Sequence, residues 1–104
     1  MTTAIHVKGL CQFDSKRFVS KVMHDSKNSR VALFCLEPEQ EVLSHTSTSE
    51  ISFLVMEGKG QVFIGGDQVP VETDSLVVCP PQVPHGMKAE QHMVVLAFMA
   101  PRPD

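Results

Sequence analysis

Two histidines, His45 and His85, are the side chains of this sequence best placed to do chemistry. His85 ends the run Asp74-Ser-Leu-Val-Val-Cys-Pro-Pro-Gln-Val-Pro-His85, a short apolar segment that closes in prolines and then delivers an imidazole. His45 lies upstream and is followed by Ser47, Glu50 and the strand-turn run Phe53-Leu-Val-Met-Glu-Gly58. On neighbouring strands of one small barrel, both imidazoles can face the same cavity. Neutral imidazole ligates several transition metals and also lines metal-free pockets, so both readings stay open for this pair. Glu50 is the candidate third metal ligand, because two His and one carboxylate make a facial triad with open positions. Strand side chains alternate between faces, so Glu50 joins only if a bulge or the loop re-aims it. Ser47 is a candidate pocket hydroxyl. His92, beside Met93-Val-Val-Leu96, enters the same cavity if it faces inward; otherwise it is a surface or satisfied histidine. His6 and His24 belong to peripheral segments and are expected to be solvent-exposed.

The elements that must position these residues are short and strand-like. Apolar runs rich in Val, Ile and Phe alternate with turn residues, and no stretch holds a 3.6-residue period for more than two turns. Strands are expected over Arg17–Met23, Arg30–Leu36, Glu41–His45, Ile51–Met56, Gln61–Ile64, Gln68–Val71, Ser75–Cys79 and Gln91–Met99. Ile5, Val7 and Leu10 suggest one more edge strand, and residues 14–24 are the only helix candidate. Gly65-Gly66-Asp67 reads as a tight hairpin, since glycine supplies positive φ without steric cost. Pro80, Pro81 and Pro84 force extended chain ahead of His85.

The bulk properties exclude several classes. A chain of 104 residues suits one domain, 1–104, with a barrel core at about 30–99 and an N-terminal arm over 1–29. The net charge is −3 with no basic block, so no nucleic-acid partner is expected. No apolar run approaches the roughly 20 residues of a membrane span. The start, Met1-Thr-Thr-Ala-Ile-His6, lacks a signal-peptide layout. The three cysteines, Cys11, Cys35 and Cys79, are an odd number at wide spacing, which indicates no disulfide framework; Cys35 and Cys79, inside apolar runs, read as buried free thiols in a reducing cytoplasm. No G-x-S-x-G elbow or phosphate loop appears, and Gly58-Lys-Gly60 is a turn.

Taken together, His45, Gly58, Pro80 and His85 resemble the two motifs of the cupin superfamily, the small double-stranded β-helix proteins. His45 matches the first histidine of motif one and Gly58 its closing glycine; Pro80 and His85 keep the spacing of motif two. Residues 59–73 match the compact stretch between motifs. The departures are specific. Ser47 stands for the second histidine, Ile51 for the acidic residue with Glu50 one position early, and Glu39 for the opening glycine. In motif two, Asp74 and Gln82 replace glycines and Ala89 replaces asparagine. The resemblance implies an all-β double-stranded β-helix (jelly-roll) cupin barrel that pairs as a homodimer. It implies a divalent metal ion (Fe, Mn, Ni or Zn) on three His and a carboxylate, of which this chain offers His45, His85 and Glu50. A metal-dependent dioxygenase or isomerase acting on a small molecule is one functional expectation. The alternative is a metal-free module that binds or senses a small ligand without turnover.

Overall fold

Alternation of apolar and polar side chains sorts the strands into two layers with a shared interior. The computed structural model describes residues 4–103. Among them are nine strands: β1 (Val19–Asp25), β2 (Arg30–Leu36), β3 (Glu41–His45), β4 (Glu50–Glu57), β5 (Lys59–Ile64), β6 (Asp67–Glu72), β7 (Leu76–Cys79), β8 (His85–Ala89) and β9 (Met93–Ala100). One sheet has the order β1-β2-β9-β4-β7 and the other β3-β8-β5-β6, with neighbouring strands antiparallel throughout. This is the all-β jelly roll expected from the sequence, two antiparallel sheets facing each other.

The period of two decides what lies between the sheets. Ile51, Phe53 and Val55 of β4 join Val95 and Ala97 of β9 and Val42, Met87, Ala89, Val62 and Val71 of the second sheet in the principal core. The intervening residues of the first sheet face outward. There Leu33, Cys35, Val94 and Leu96 form a second apolar cluster against Val7 and Cys11 of the N-terminal arm. The arm corrects two expectations. Its apolar residues form a 3-10 turn, Val7–Leu10, laid on the outer face rather than an edge strand, and residues 14–24 run into β1 rather than a helix. β8 has no forerunner among the expected strands, because the prolines before it obscure its pattern.

Among the described residues, three non-glycine residues hold positive φ: Glu39 (74°), Asp74 (73°) and Gln82 (67°). These are the positions where the resemblance calls for glycine. The turns keep their left-handed geometry although the residues have changed, and each Cβ bears the steric cost. Gly58, which retains its glycine at φ 100°, has no such latitude, since a Cβ there would lie 1.8 Å from the His92 carbonyl oxygen.

Gln82→Gly and Glu39→Gly should therefore each raise the unfolding free energy, by on the order of 0.5–1 kcal/mol after the added freedom of the unfolded chain is subtracted. Gly58→Ala should lower it by about 2 kcal/mol or more. Urea midpoints of the three variants against wild type check both signs.

Candidate functional site

A bulge brings the two histidines together. β3 pairs with β8 at Val42↔Met87 and then at His45↔His85, so β3 advances three residues while β8 advances two. In an unbroken ladder Ser44, not His45, would share the face of Val42. The extra residue returns His45 to that face, opposite His85. The strands approach closely here because Gly86 has no side chain: a Cβ would lie 2.6 Å from the Val42 carbonyl oxygen and 2.9 Å from the Ser44 nitrogen. An isolated glycine inside a strand is the sequence signal for such an approach, and it stands directly after His85.

The imidazoles meet edge to face, with centroids 4.5 Å apart and an interplanar angle of 61°. Phe53 lies 5.9 Å from the His85 ring. Both rings are oriented by backbone. His45 Nδ1 lies 3.0 Å from the Leu43 carbonyl oxygen and His85 Nδ1 3.1 Å from that of Val83. A carbonyl only accepts, so Nδ1 carries the proton in each ring and the Nε2 lone pair is left available. His85 is 3% exposed, whereas His45 stands exposed at the mouth. Burial pushes the His85 pKa below its ordinary 6.5, and the neighbouring His45 lowers it further against the hydrogen bond to Val83. Behind His85, the Cys79 thiol lies 3.8 Å from Nδ1, on the side away from the free nitrogen.

The pair lines a cavity of about 40 Å³ whose other walls are Phe34, Val42, Ile51, Phe53, Met87, Ala97 and Met99. That is room for a few waters or one small chemical group. His45, Ile51 and Met99 also border a surface groove of about 240 Å³ that continues to Arg30, Thr46, Ser47 and Pro103. The groove thus adjoins the chamber along three shared lining residues. Arg30 brings charge to it: its guanidinium shares the single carboxylate of Asp25, at 3.3 Å, with Arg102 at 2.6 Å. The two cations hold Asp25 at a pKa of about 2, with the Arg102 hydrogen bond the largest cause. Two guanidiniums against one carboxylate leave a positive charge in excess.

The remaining candidates divide. Ser47 stands in the groove, where its Oγ accepts a hydrogen bond from the Ser49 amide at 3.1 Å. Glu50 is exposed at the start of β4 and is absent from the chamber walls, because Ile51 and Phe53 take the inward positions of that strand. No bulge re-aims it: the irregularity in β4 lies between Val55 and Glu57. His92 precedes β9 and turns elsewhere, stacking on Phe13 at 4.6 Å and placing Nε2 3.2 Å from Glu37 Oε1. Among the described residues no three His, Cys, Asp or Glu side chains gather to hold an ion. The four-ligand centre implied by the resemblance therefore does not fit these residues; two imidazoles do remain, in the tautomer a metal would need.

Comparison with known proteins places this geometry. A family model described as the cupin domain matches residues 32–99. An RmlC-like cupin protein from Desulfovibrio desulfuricans is similar in structure at 28% identity, with a TM-score of 0.91 over 98% of this chain and 99% of that one. A conserved protein with a double-stranded β-helix domain from Klebsiella pneumoniae shares the fold at 17% identity and TM-score 0.89, over 97% and 91% of the two chains. Salicylate 1,2-dioxygenase from Pseudoaminobacter salicylatoxidans shares it at 19% identity and TM-score 0.77, over 90% of this chain and 30% of that one. None of the curated proteins matches the chain.

The depressed His85 pKa has a signed consequence. The unfolded chain takes up this proton first on acidification, so the group's stabilising share is complete above pH 6.5 and is lost as pH falls through the lower folded value. His85→Gln should flatten that part of the curve of unfolding free energy against pH. Denaturant titrations at stepped pH measure it, and identical slopes for variant and wild type would refute the assignment.

Proposed function

The chain belongs to the family of cupin domains, and from that premise we propose that its barrel is a binding site for a small organic anion, without an integral metal centre. The apolar part of the ligand enters the chamber, a hydrogen-bond donor on it meets the free Nε2 atoms of His45 and His85, and its anionic group stays in the groove facing Arg30. The observation that carries this reading is the wall composition. The chamber holds two hydrogen-bond acceptors in an apolar lining, and Ile51 fills the place a carboxylate would need to assist an ion. A few convergent polar groups in an apolar cavity is the usual make-up of small-molecule sites. An acceptor pair also discriminates, because a ligand without the donor leaves desolvated nitrogens unpaired.

A second reading has one observation in its favour. Each imidazole donates Nδ1–H to a backbone carbonyl, as metal-ligating histidines commonly do. His45 and His85 would then be the only protein ligands from the chamber, and water or the organic anion would complete the coordination of an Fe, Mn, Ni or Zn ion. Such an ion would act as a Lewis acid toward the bound anion.

Two measurements separate the readings. A panel of short hydroxy- and amino-carboxylic acids, followed by amide chemical shifts of untagged protein, should give saturable shifts at Ser47 and Gly86. Arg30→Gln should weaken binding about tenfold, the effect of one charge-assisted contact, and His85→Ala should abolish the shifts. Equal binding of the neutral amides, or no saturable shift with any acid, would reject the anion site. Stoichiometric metal retained by untagged wild type and lost in both His45→Ala and His85→Ala would establish the metal reading instead.

A further inference from the structure

The outer face of the five-stranded sheet, opposite the chamber, carries a second chemical feature. Cys35 lies on β2, buried at 1% exposure, and points away from the core toward the N-terminal arm. Cys11 closes the 3-10 turn of that arm and is partly exposed. Their sulfur atoms lie 2.9 Å apart, the thiol of Cys11 donating to that of Cys35. The wide spacing of the two residues in sequence conceals this; only the folding of the arm onto β2 brings them together.

We propose that Cys11 and Cys35 are a reversible dithiol–disulfide site that, on reaction with a low-molecular-weight disulfide, locks the N-terminal arm to the barrel. The sulfurs need to close from 2.9 Å to about 2.05 Å, within reach of small rotations of the two side chains. The two thiols differ in access, as a two-step exchange requires. The thiolate of Cys11, the partly exposed member, attacks one sulfur of the small disulfide and expels the other as thiolate. The thiolate of Cys35 then attacks Cys11 Sγ in that mixed disulfide and releases the second small thiolate. The two protons lost by the protein thiols end on the two released thiolates. Protein dithiol and one small disulfide thus become protein disulfide and two small thiols.

The surroundings keep the reduced form slow to react. Burial, the Cys35 thiol and the carboxylate of Glu57 raise the Cys11 pKa to about 12, against a smaller lowering by Lys21. Lys8 pairs with Glu57 at 3.5 Å and so tempers the negative charge facing the sulfur. Only a small thiolate fraction exists at neutral pH, and the thiolate is the attacking species. The arm has other attachments that hold the pair in register: Phe13 stacks on His92, and Gln40 donates to the Asp14 carbonyl at 2.6 Å. Cys79 takes no part, since it is buried beside His85 in the other face of the fold.

Treatment of the full chain with oxidised glutathione tests the site. Wild type should lose two hydrogens by intact mass, yield a peptide linking Cys11 to Cys35, and gain on the order of 10 °C in Tm, reversed by dithiothreitol. The rate should rise about tenfold per pH unit between neutrality and pH 9. Cys35→Ser should accumulate a glutathione adduct on Cys11 that goes no further, while Cys79→Ser should behave as wild type. A wild-type reaction that stops at the adduct, links through Cys79 or between chains, or leaves Tm unchanged would overturn the proposal.

Discussion

The site depends on the pairing of β3 with β8. Neither histidine is informative alone: His45 is an exposed imidazole at a strand end and His85 a buried one behind prolines. The bulge between Val42 and His45 sets their common face, and the missing side chain at Gly86 permits the approach. Both loops that flank the pair are then tied together, with the Gln82 amide donating to the Ser47 carbonyl at 2.9 Å and the Gly65 amide to that of Pro84 at 2.7 Å. The first of these bonds fixes the Ser47 side of the groove through backbone alone. The side chains of Ser47 and Gln82 are thereby free to differ, and both are departures from the motifs this chain resembles.

Those departures act on chemistry and leave the architecture in place. Glu39, Asp74 and Gln82 adopt the left-handed backbone that glycine would adopt more easily, so the turns survive at a local cost. Ile51 has a different effect. It sits on the inward register of β4 and exchanges a ligand for a methyl-bearing wall, while Glu50 is turned out by the strict alternation of the strand. With no carboxylate nearby to favour a charged ring, burial keeps His85 neutral and its Nε2 an acceptor. An acceptor pair in an apolar chamber selects a donor-bearing guest, and the excess guanidinium at the groove selects the charge of its other end.

How much of this is legible in the sequence follows from which physical signals are local. The strands from Arg30 to Ile64 and the Gly65-Gly66 turn are readable because period-two alternation and positive-φ residues are properties of adjacent residues. The convergence of His45 and His85 is also readable, through the motif spacing. The bulge is not, since it is a mismatch between two strands separated by many residues and leaves no mark on either alone. For the same reason Glu50 looks usable one position from where an acidic residue is expected, and His92 looks like a cavity residue until the arm supplies Phe13 and β2's end supplies Glu37 as its partners. Of the N-terminal apolar residues only Val7 packs on the sheet, while Ile5 and Leu10 stay exposed, because a segment this short can touch a sheet face as a single turn instead of extending its edge.

Strand β2 joins the two chemical features of the molecule back to back. Phe34 faces inward and walls the chamber, and Cys35, the next residue, faces outward beneath the arm. β9 repeats the arrangement, with Ala97 and Met99 on the chamber side and Val94 and Leu96 against the outer cluster. A two-residue period thus lets one sheet carry a ligand wall and a thiol at adjacent positions without the two touching. Close packing means that a constraint on one face bears on the backbone that both faces share. Fixing the arm to Cys35 restrains β2 at the point where Phe34 meets the chamber, so order on the outer surface and the shape of the inner cavity are properties of the same strand.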